Sequence, residues 1–178
     1  MTLTNLLEKC FKILTRASVD RKSDVRNIVV SIIDGDYPSS RIMVLREVDI
    51  KQKSFIFFSD RKSEKCRLLR ANSSGSLLAW DRKNHVQIRV KGKFCFESDV
   101  NNYWDRLGDT GKKSYGNNPF PSTPILYAQQ FENIPTISRF TVLKFFADNI
   151  DILWLKRERH VRAIYDSRDT WQGSWVVP

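Results

Sequence analysis

The feature that most constrains this chain is a strict alternation of apolar and polar side chains between Val86 and Phe96. The apolar positions are Val86, Ile88, Val90, Phe94 and Phe96, and the polar ones are Gln87, Arg89, Lys91 and Lys93. A period of two residues is typical of a β-strand with one face in a core and the other in solvent. Gly92 interrupts the pattern and predicts a bend. The chain must therefore build a sheet with one buried face.

Short runs rich in β-branched and aromatic residues predict further strands. They cover residues 27–33, 40–48, 54–59, 75–80, 140–146, 150–155, 161–165 and 171–177. A helical period predicts an amphipathic helix over residues 1–16, and residues 62–70 and 99–107 predict two shorter helices. We expect residues 1–178 to form one mainly β domain with helical additions. A barrel is expected, because closure removes exposed strand edges.

Composition narrows the class of partner. The 30 Lys and Arg residues against 20 Asp and Glu leave a net charge of +10, which favours phosphorylated ligands, nucleic acid or acidic lipid. Cys10, Cys66 and Cys95 are odd in number and widely spaced, which fits a reducing cytoplasm better than a disulfide framework. No apolar run approaches the roughly 18 residues that a membrane helix needs, so no membrane partner is expected.

Two basic clusters are candidates for anion binding. In the first, Ser63 and Lys65 lie at the start of the predicted helix over residues 62–70, where free backbone N–H groups favour a phosphate; a solvated helix face is an equal alternative. In the second, His160 and Arg162 share one face of an extended segment, although a lone histidine is more often structural. Zinc-ligand spacings, a P-loop and GxGxxG are absent, so no metal site is expected and any nucleotide site must use another architecture.

Four segments in this order resemble the pyridoxamine 5'-phosphate oxidase family of FMN-binding split barrels. The segments are RIMVLR at residues 41–46, FSDRKSEK at residues 58–65, QIRVKGK at residues 87–93, and a C-terminal region with Trp154, His160-Val161-Arg162 and a final Val-Pro. The resemblance implies a split β-barrel that binds FMN as a homodimer, with the flavin at the dimer interface.

The resemblance also implies which residues contact the cofactor. Arg41, Ser63 and Lys65 would hold the FMN phosphate, with Phe58, Ser59 and the backbone of Ile42, Met43 and Val44 beside the flavin. Gln87, Trp154 and Arg162 would line the isoalloxazine ring. Cationic groups suit a phosphate, and polar donors at the ring edge stabilise the negative charge of reduced flavin.

The substrate side of the motif departs from the family. Family members oxidise an amine-bearing carbon by hydride transfer to FMN, and they grip the substrate phosphate with Lys, Tyr, Arg and Ser. In this chain Arg46 replaces the lysine, Tyr103 matches the tyrosine, and Leu107 replaces the arginine, with Arg106 adjacent. Glu158 stands at the arginine position of the Arg-x-His motif that contains His160, and Glu64 replaces an arginine before Lys65.

These departures favour an FMN-dependent oxidoreductase whose small-molecule substrate, phosphorylated or not, is other than pyridoxamine phosphate. The candidate substrate residues are Arg46, Tyr103, Arg106 and His160, and the catalytic candidates are His160 and Arg162.

Three alternatives stay open. The first is a true pyridoxamine or pyridoxine 5'-phosphate oxidase that makes pyridoxal 5'-phosphate. The second is a basic β-barrel that binds single-stranded nucleic acid by stacking on Trp80, Phe94 and Phe96, although the alternation places both phenylalanines in the core. The third is a haem-handling barrel with His85 or His160 as iron ligand, for which the sequence gives no positive sign.

Overall fold

A computed structural model describes the whole chain from Met1 to Pro178 and shows a mainly β protein with few helices. The helices are α1 (Leu3–Val19), α2 (Glu64–Ala71), α3 (Asn101–Asp105) and α4 (Asp109–Lys112). The strands are β1 (Asn27–Asp34), β2 (Tyr37–Val44), β3 (Glu47–Asp49), β4 (Ser54–Asp60), β5 (Ser74–Asp81), β6 (Val86–Phe96), β7 (Asn117–Asn118), β8 (Glu132–Asn133), β9 (Phe140–Trp154), β10 (Val161–Asp166) and β11 (Ser174–Val176).

The main sheet has nine strands and runs in the order β11-β10-β9-β6-β5-β1-β2, with all pairs antiparallel. Strand β9 divides its free edge: Phe140–Phe146 pairs with β4, and Asn149–Trp154 pairs with β10. Strand β3 pairs with β4. This hydrogen-bonded path is open, because no ladder joins β2 to β4. Closure into a split barrel therefore stays a prediction.

Several predicted element bounds were wrong, each for a local reason. The two strands predicted over residues 140–146 and 150–155 are the single strand β9, because polar Asp148 and Asn149 sit at a bulge and not in a turn. The strand predicted over residues 40–48 is split into β2 and β3. The strand predicted over residues 171–177 shrinks to β11, since Thr170 and Trp171 have positive φ.

The bend predicted at Gly92 is confirmed as a β-bulge. Lys91 pairs with Asn149 whereas Gly92 pairs with Ala147, so Asp148 is the extra residue on β9. A side chain at position 92 would collide with the carbonyl oxygen of Phe146 and lie 2.9 Å from the ring of Phe145. Only glycine allows β6 to approach β9 this closely.

The inner face of the sheet and helix α1 enclose the main core. Phe11 of α1 stacks on Phe55 at 6.2 Å, and the hydroxyl of Tyr165 donates a hydrogen bond to the carbonyl of Leu3 at 2.7 Å. Phe94 is buried in this core and Phe96 is partly buried against it. These two rings are therefore packing residues, as the alternation predicts.

A second, smaller core lies on the outer face of β4 and β9, beneath α3 and the segment that follows it. It contains Ile56, Val100, Tyr115, Phe140 and Val142. Residues 108–124 contain helix α4 and strand β7, which pairs with β8. No helix is both long and apolar enough to span a membrane.

We predict that Gly92→Ala destabilises the fold by about 2–4 kcal/mol, because the added Cβ must push β6 away from β9. Gly108→Ala is the matched control: a Cβ there meets nothing within 4 Å and should change stability by less than about 0.5 kcal/mol. Urea unfolding followed by tryptophan fluorescence measures both. Equal midpoints for the two variants would contradict the proposed close approach.

Candidate functional site

The N-terminal end of α2 gathers hydroxyls and a lysine. The Lys65 ammonium donates to the Ser59 hydroxyl at 3.3 Å, and the Ser59 and Ser63 hydroxyls are 3.1 Å apart. Ser63 is the N-cap of α2, yet its side chain makes no capping hydrogen bond. Because the first-turn N–H groups of a helix lack intrahelical partners, this end of α2 presents several donors to one point.

Arg41 of β2 belongs to the same cluster. Its Nη2 donates to the Ser39 hydroxyl at 2.8 Å, whereas its Nη1 is buried without any hydrogen-bond partner. Burial lowers the pKa of Arg41, and burial together with the nearby Arg41 charge lowers the pKa of Lys65. A bound anion would stabilise two cations that lie this close together and partly away from solvent. An oxygen of that anion would bind the N–H group of Arg41 that has no partner.

A buried ion pair supports the turn between β4 and α2. Arg139 grips the Asp60 carboxylate with two hydrogen bonds, of 3.1 and 2.8 Å, and both side chains are almost fully buried. The same carboxylate accepts the N–H of Lys62 at 2.8 Å. This pair fixes the path of the chain that carries Ser59 and Ser63.

Next to this end of β4, cations and aromatic rings form a second cluster. The Arg46 guanidinium lies 5.0 Å from the Phe58 ring centroid, and the Phe58 and Tyr103 rings are 5.6 Å apart. Arg106 lies 5.0 Å from the Tyr103 ring and pairs with Glu47 at 2.9 Å. Three of the four predicted substrate residues, Arg46, Tyr103 and Arg106, are thus brought together.

The remaining predicted residues lie elsewhere on the chain. Gln87 and Arg162 both pair with Leu153 and so share the outer face of the sheet, and His160 is exposed just before β10. Trp154 pairs with buried Val86 and therefore lies on the inner face of the sheet. The ring of Trp154 lies 3.6 Å from the Lys9 ammonium of α1. The structure does not bring Trp154 together with Gln87 and Arg162.

Arg162 is held by a carboxylate that sequence reasoning missed. Its guanidinium donates two hydrogen bonds to Asp151, of 3.1 and 2.9 Å, and Arg89 binds the same carboxylate. Burial opposes ionisation of Asp151, but the hydrogen bonds and charges of the two arginines outweigh it and lower its pKa. These side chains line a cleft of about 1000 Å³ on the outer face, between β1, β2, β5, β6, β9 and β10.

The backbone stretch predicted to lie beside a flavin alternates in exposure. Met43 is buried in the core, Ile42 is 70% exposed, and Val44 is intermediate. The predicted residues thus form two groups within one chain. The first, around Arg41, Lys65 and Phe58, lies where β2 and β4 meet α2; the second, with Gln87, His160 and Arg162, lies where β6, β9 and β10 run side by side.

Comparison with known proteins shows to which family this chain is related. The family model of the pyridoxamine 5'-phosphate oxidase FMN-binding domain matches residues 7–97, just over half of the chain. No curated protein sequence gives a significant match.

Solved structures share the fold. A pyridoxamine 5'-phosphate oxidase-related, FMN-binding protein from Nostoc punctiforme is 18% identical, with a TM-score of 0.76 and 96% of each chain covered. PhzG from Burkholderia lata, in complex with tetrahydrophenazine-1-carboxylic acid, is also 18% identical, with a TM-score of 0.75 and 99% of this chain and 93% of that one covered. General stress protein 26 from Bacillus anthracis is 21% identical, with a TM-score of 0.56 and 83% and 92% covered. At these identities the likeness establishes the fold alone.

We predict that Asp60→Asn destabilises the protein by about 3–5 kcal/mol, because it leaves the buried Arg139 guanidinium without its charged partner. Asp20→Asn is the matched control. Asp20 likewise accepts an N–H two residues ahead and faces an arginine, Arg16, but at 3.6 Å on the surface, so the loss should stay below about 1 kcal/mol. Chemical denaturation of both variants measures the difference, and equal losses would refute a structural role for the Asp60 pair.

Proposed function

Because this chain belongs to the pyridoxamine 5'-phosphate oxidase FMN-binding family, we propose that it is an FMN-dependent oxidoreductase that acts as a homodimer. The observation that carries the proposal is the buried, unpartnered Nη1 of Arg41 beside Lys65. The proposal includes a single FMN-binding domain over residues 1–178 and a cytoplasmic location.

The residues present fit a phosphate monoester. Arg41 and Lys65 supply two positive charges, Ser59 and Ser63 supply hydroxyls, and the start of α2 supplies free N–H groups. Glu64 lies at the same end of α2, where its carboxylate pairs with Arg67 at 3.5 Å and its charge partly offsets the lowering of the Arg41 pKa by burial. These residues would hold the FMN phosphate, with Phe58 and the backbone of residues 42–44 beside the ring system.

When bound, FMN supplies a hydride acceptor. The protein's part is then to orient the ring and to balance the negative charge that reduction adds. Arg162 is suited to balance this negative charge, because Asp151 fixes the direction of the Arg162 guanidinium. Gln87 adds a neutral donor on the same outer face. His160 is exposed two residues before Arg162, where it would meet a substrate.

A homodimer unites the two groups of residues. A two-fold axis brings the Arg41 group of one protomer to the Arg162 group of the other, and makes two equal sites. Exposed apolar side chains are available for such an interface: Ile42 on β2, Leu78 and Trp80 on β5, and Trp175 on β11 are between 39% and 70% exposed, and β2 and β5 flank β1. The closed split barrel belongs to this same proposal.

The departures on the substrate side favour a substrate other than pyridoxamine 5'-phosphate. Leu107 packs into the second core and Glu158 is exposed, so neither position offers the family's arginine. The alternative, a true pyridoxamine 5'-phosphate oxidase, requires Arg106 to leave Glu47 and take over the phosphate. Turnover of pyridoxamine 5'-phosphate with peroxide release would establish it.

We predict that the purified protein binds FMN at micromolar or lower concentration, with a yellow colour and flavin absorbance. Arg41→Ala and Lys65→Ala should each weaken FMN binding roughly ten- to a hundredfold, the effect of losing one charge-assisted hydrogen bond of about 1.5–3 kcal/mol. Arg16→Ala removes an equal charge from the exposed surface of α1 and should change binding less than threefold. Fluorescence titration of FMN measures all three, and no FMN binding by the unaltered protein would overturn the proposed function.

A second prediction tests the shared site. Arg41→Ala and Arg162→Met homodimers should each bind FMN weakly. After the two variants are unfolded together and refolded, about a quarter of all sites should recover, because half of the dimers are mixed and each mixed dimer has one intact site. The number of tight FMN sites in the refolded mixture measures this. No recovery, in a mixture that sediments as a dimer, would mean that each site lies within one protomer.

A further inference from the structure

Arg89 of β6 is bound to the carboxylate that also holds Arg162. Asp151 of β9 pairs with Arg89 on one side and with Ile164 of β10 on the other. Arg162 lies two residues before Ile164 and so shares its face of the sheet. The Asp151 Oδ2 atom accepts a hydrogen bond from Nη2 of Arg89 and another, of 2.9 Å, from Nη2 of Arg162. Because the Asp151 side chain is only 11% exposed, these three side chains form one linked group, which we call the Asp151 trio.

The Asp151 trio carries a net positive charge. Arg162 and Asp151 alone would cancel, because one guanidinium faces one carboxylate. Arg89 adds a second guanidinium, so two positive charges and one negative charge leave a net charge of +1. Burial by itself would raise the pKa of Asp151, but the hydrogen bonds and charges of Arg162 and Arg89 lower it overall. The carboxylate therefore stays ionised, and the charge of the trio stays constant, throughout the physiological pH range.

Arg89 lies one row of the sheet away from the residues that are proposed to line the flavin. Gln87 and Arg162 both pair with Leu153. Arg89 lies two residues further along β6 than Gln87, which is about 7 Å. Its Nη2 is committed to Asp151, but a charge at this distance still acts on the ring, because the Debye length is about 8 Å at physiological ionic strength. Arg89 therefore supplies charge and support to the flavin site, and not a direct contact.

We propose that Arg89 is a positioning residue that, through Asp151, raises the reduction potential of bound FMN. The shared carboxylate holds the Arg162 guanidinium in place, and Arg89 offsets the negative charge that this carboxylate brings to the site. Reduction adds negative charge to the flavin ring, so a net positive charge beside the ring favours the reduced form. A higher potential makes FMN a stronger hydride acceptor, which suits oxidation of a substrate. This inference rests on the proposed function, because it requires FMN beside Arg162.

The test measures the midpoint potential of FMN bound to the full-length protein, by spectroscopic titration against reference dyes at pH 8. Arg89→Met removes the charge and should lower the preference for reduced over oxidised FMN at least tenfold, a shift of about 30 mV to more negative potential. Arg89→Gln keeps a hydrogen-bond donor without the charge and should give the same shift, whereas Arg89→Lys should recover at least half of it. Lys91→Met is the matched control. Lys91 is exposed on the same face of β6 but binds no carboxylate, so its loss should change the preference less than threefold.

The outcomes separate this inference from the proposed function. If the unaltered protein binds no FMN, the proposed function fails and the inference fails with it. If FMN binds but Arg89→Met and Arg89→Gln keep the potential of the unaltered protein, at equal FMN content and melting temperature, only the inference is overturned. An equal shift in Lys91→Met would overturn it as well, because the potential would then follow the charge of the whole surface and not the link through Asp151.

Discussion

Strand β9 pairs with three strands, β4, β6 and β10, although a strand has only two edges. The division of one edge between β4 and β10 determines the arrangement of the molecule. One edge pairs with β6 from Leu143 to Trp154, and the other edge serves β4 first and β10 afterwards. The change of partner falls at Ala147-Asp148, where the bulge opposite Gly92 bends the strand. Strands β4 and β10 must therefore diverge. The end of α2 proposed to bind the phosphate lies with β4, and His160 and Arg162 lie with β10.

The basic residues that give the net charge of +10 have different roles. Arg139 is committed to the Asp60 carboxylate, and Arg89 and Arg162 share the Asp151 carboxylate, which fixes the direction of Arg162. Arg41 and Arg46 are different, because each has a buried N–H group that no protein atom accepts. Burying a donor without a partner costs free energy, and an acceptor bound at that donor returns it. The buried donors of these two arginines therefore indicate a ligand site, whereas the net charge alone does not.

Patterns within a single element were predictable from the sequence, and relations between elements were not. The alternation in β6, the start of α2 and the amphipathic α1 follow from local periodicity and turn residues, and the structure has all three. The continuity of β9 was missed, because a polar dipeptide at a bulge has the same local composition as a turn. Asp60 and Arg139 are 79 residues apart and Arg89 and Asp151 are 62 apart, so no window of sequence contains either pair. For Asp151 a signal existed: an acid between Ile150 and Ile152, in the otherwise apolar segment 150–155, needs a partner.

The link between the first helix and the end of the sheet has a consequence for synthesis of the protein. The hydrogen bond from Tyr165 to Leu3 joins residues 162 positions apart, and β9 supplies the shared partner of β4, β6 and β10. On the ribosome, α1 to β6 emerge first as hairpins whose apolar faces have no cover until residues 140–165 follow. Folding must wait for the last third of the chain, and non-local pairing of this kind is slow. The turn that carries Ser59 and Ser63 is held by Arg139 through Asp60, so the proposed phosphate site is complete only when the last third of the chain has folded.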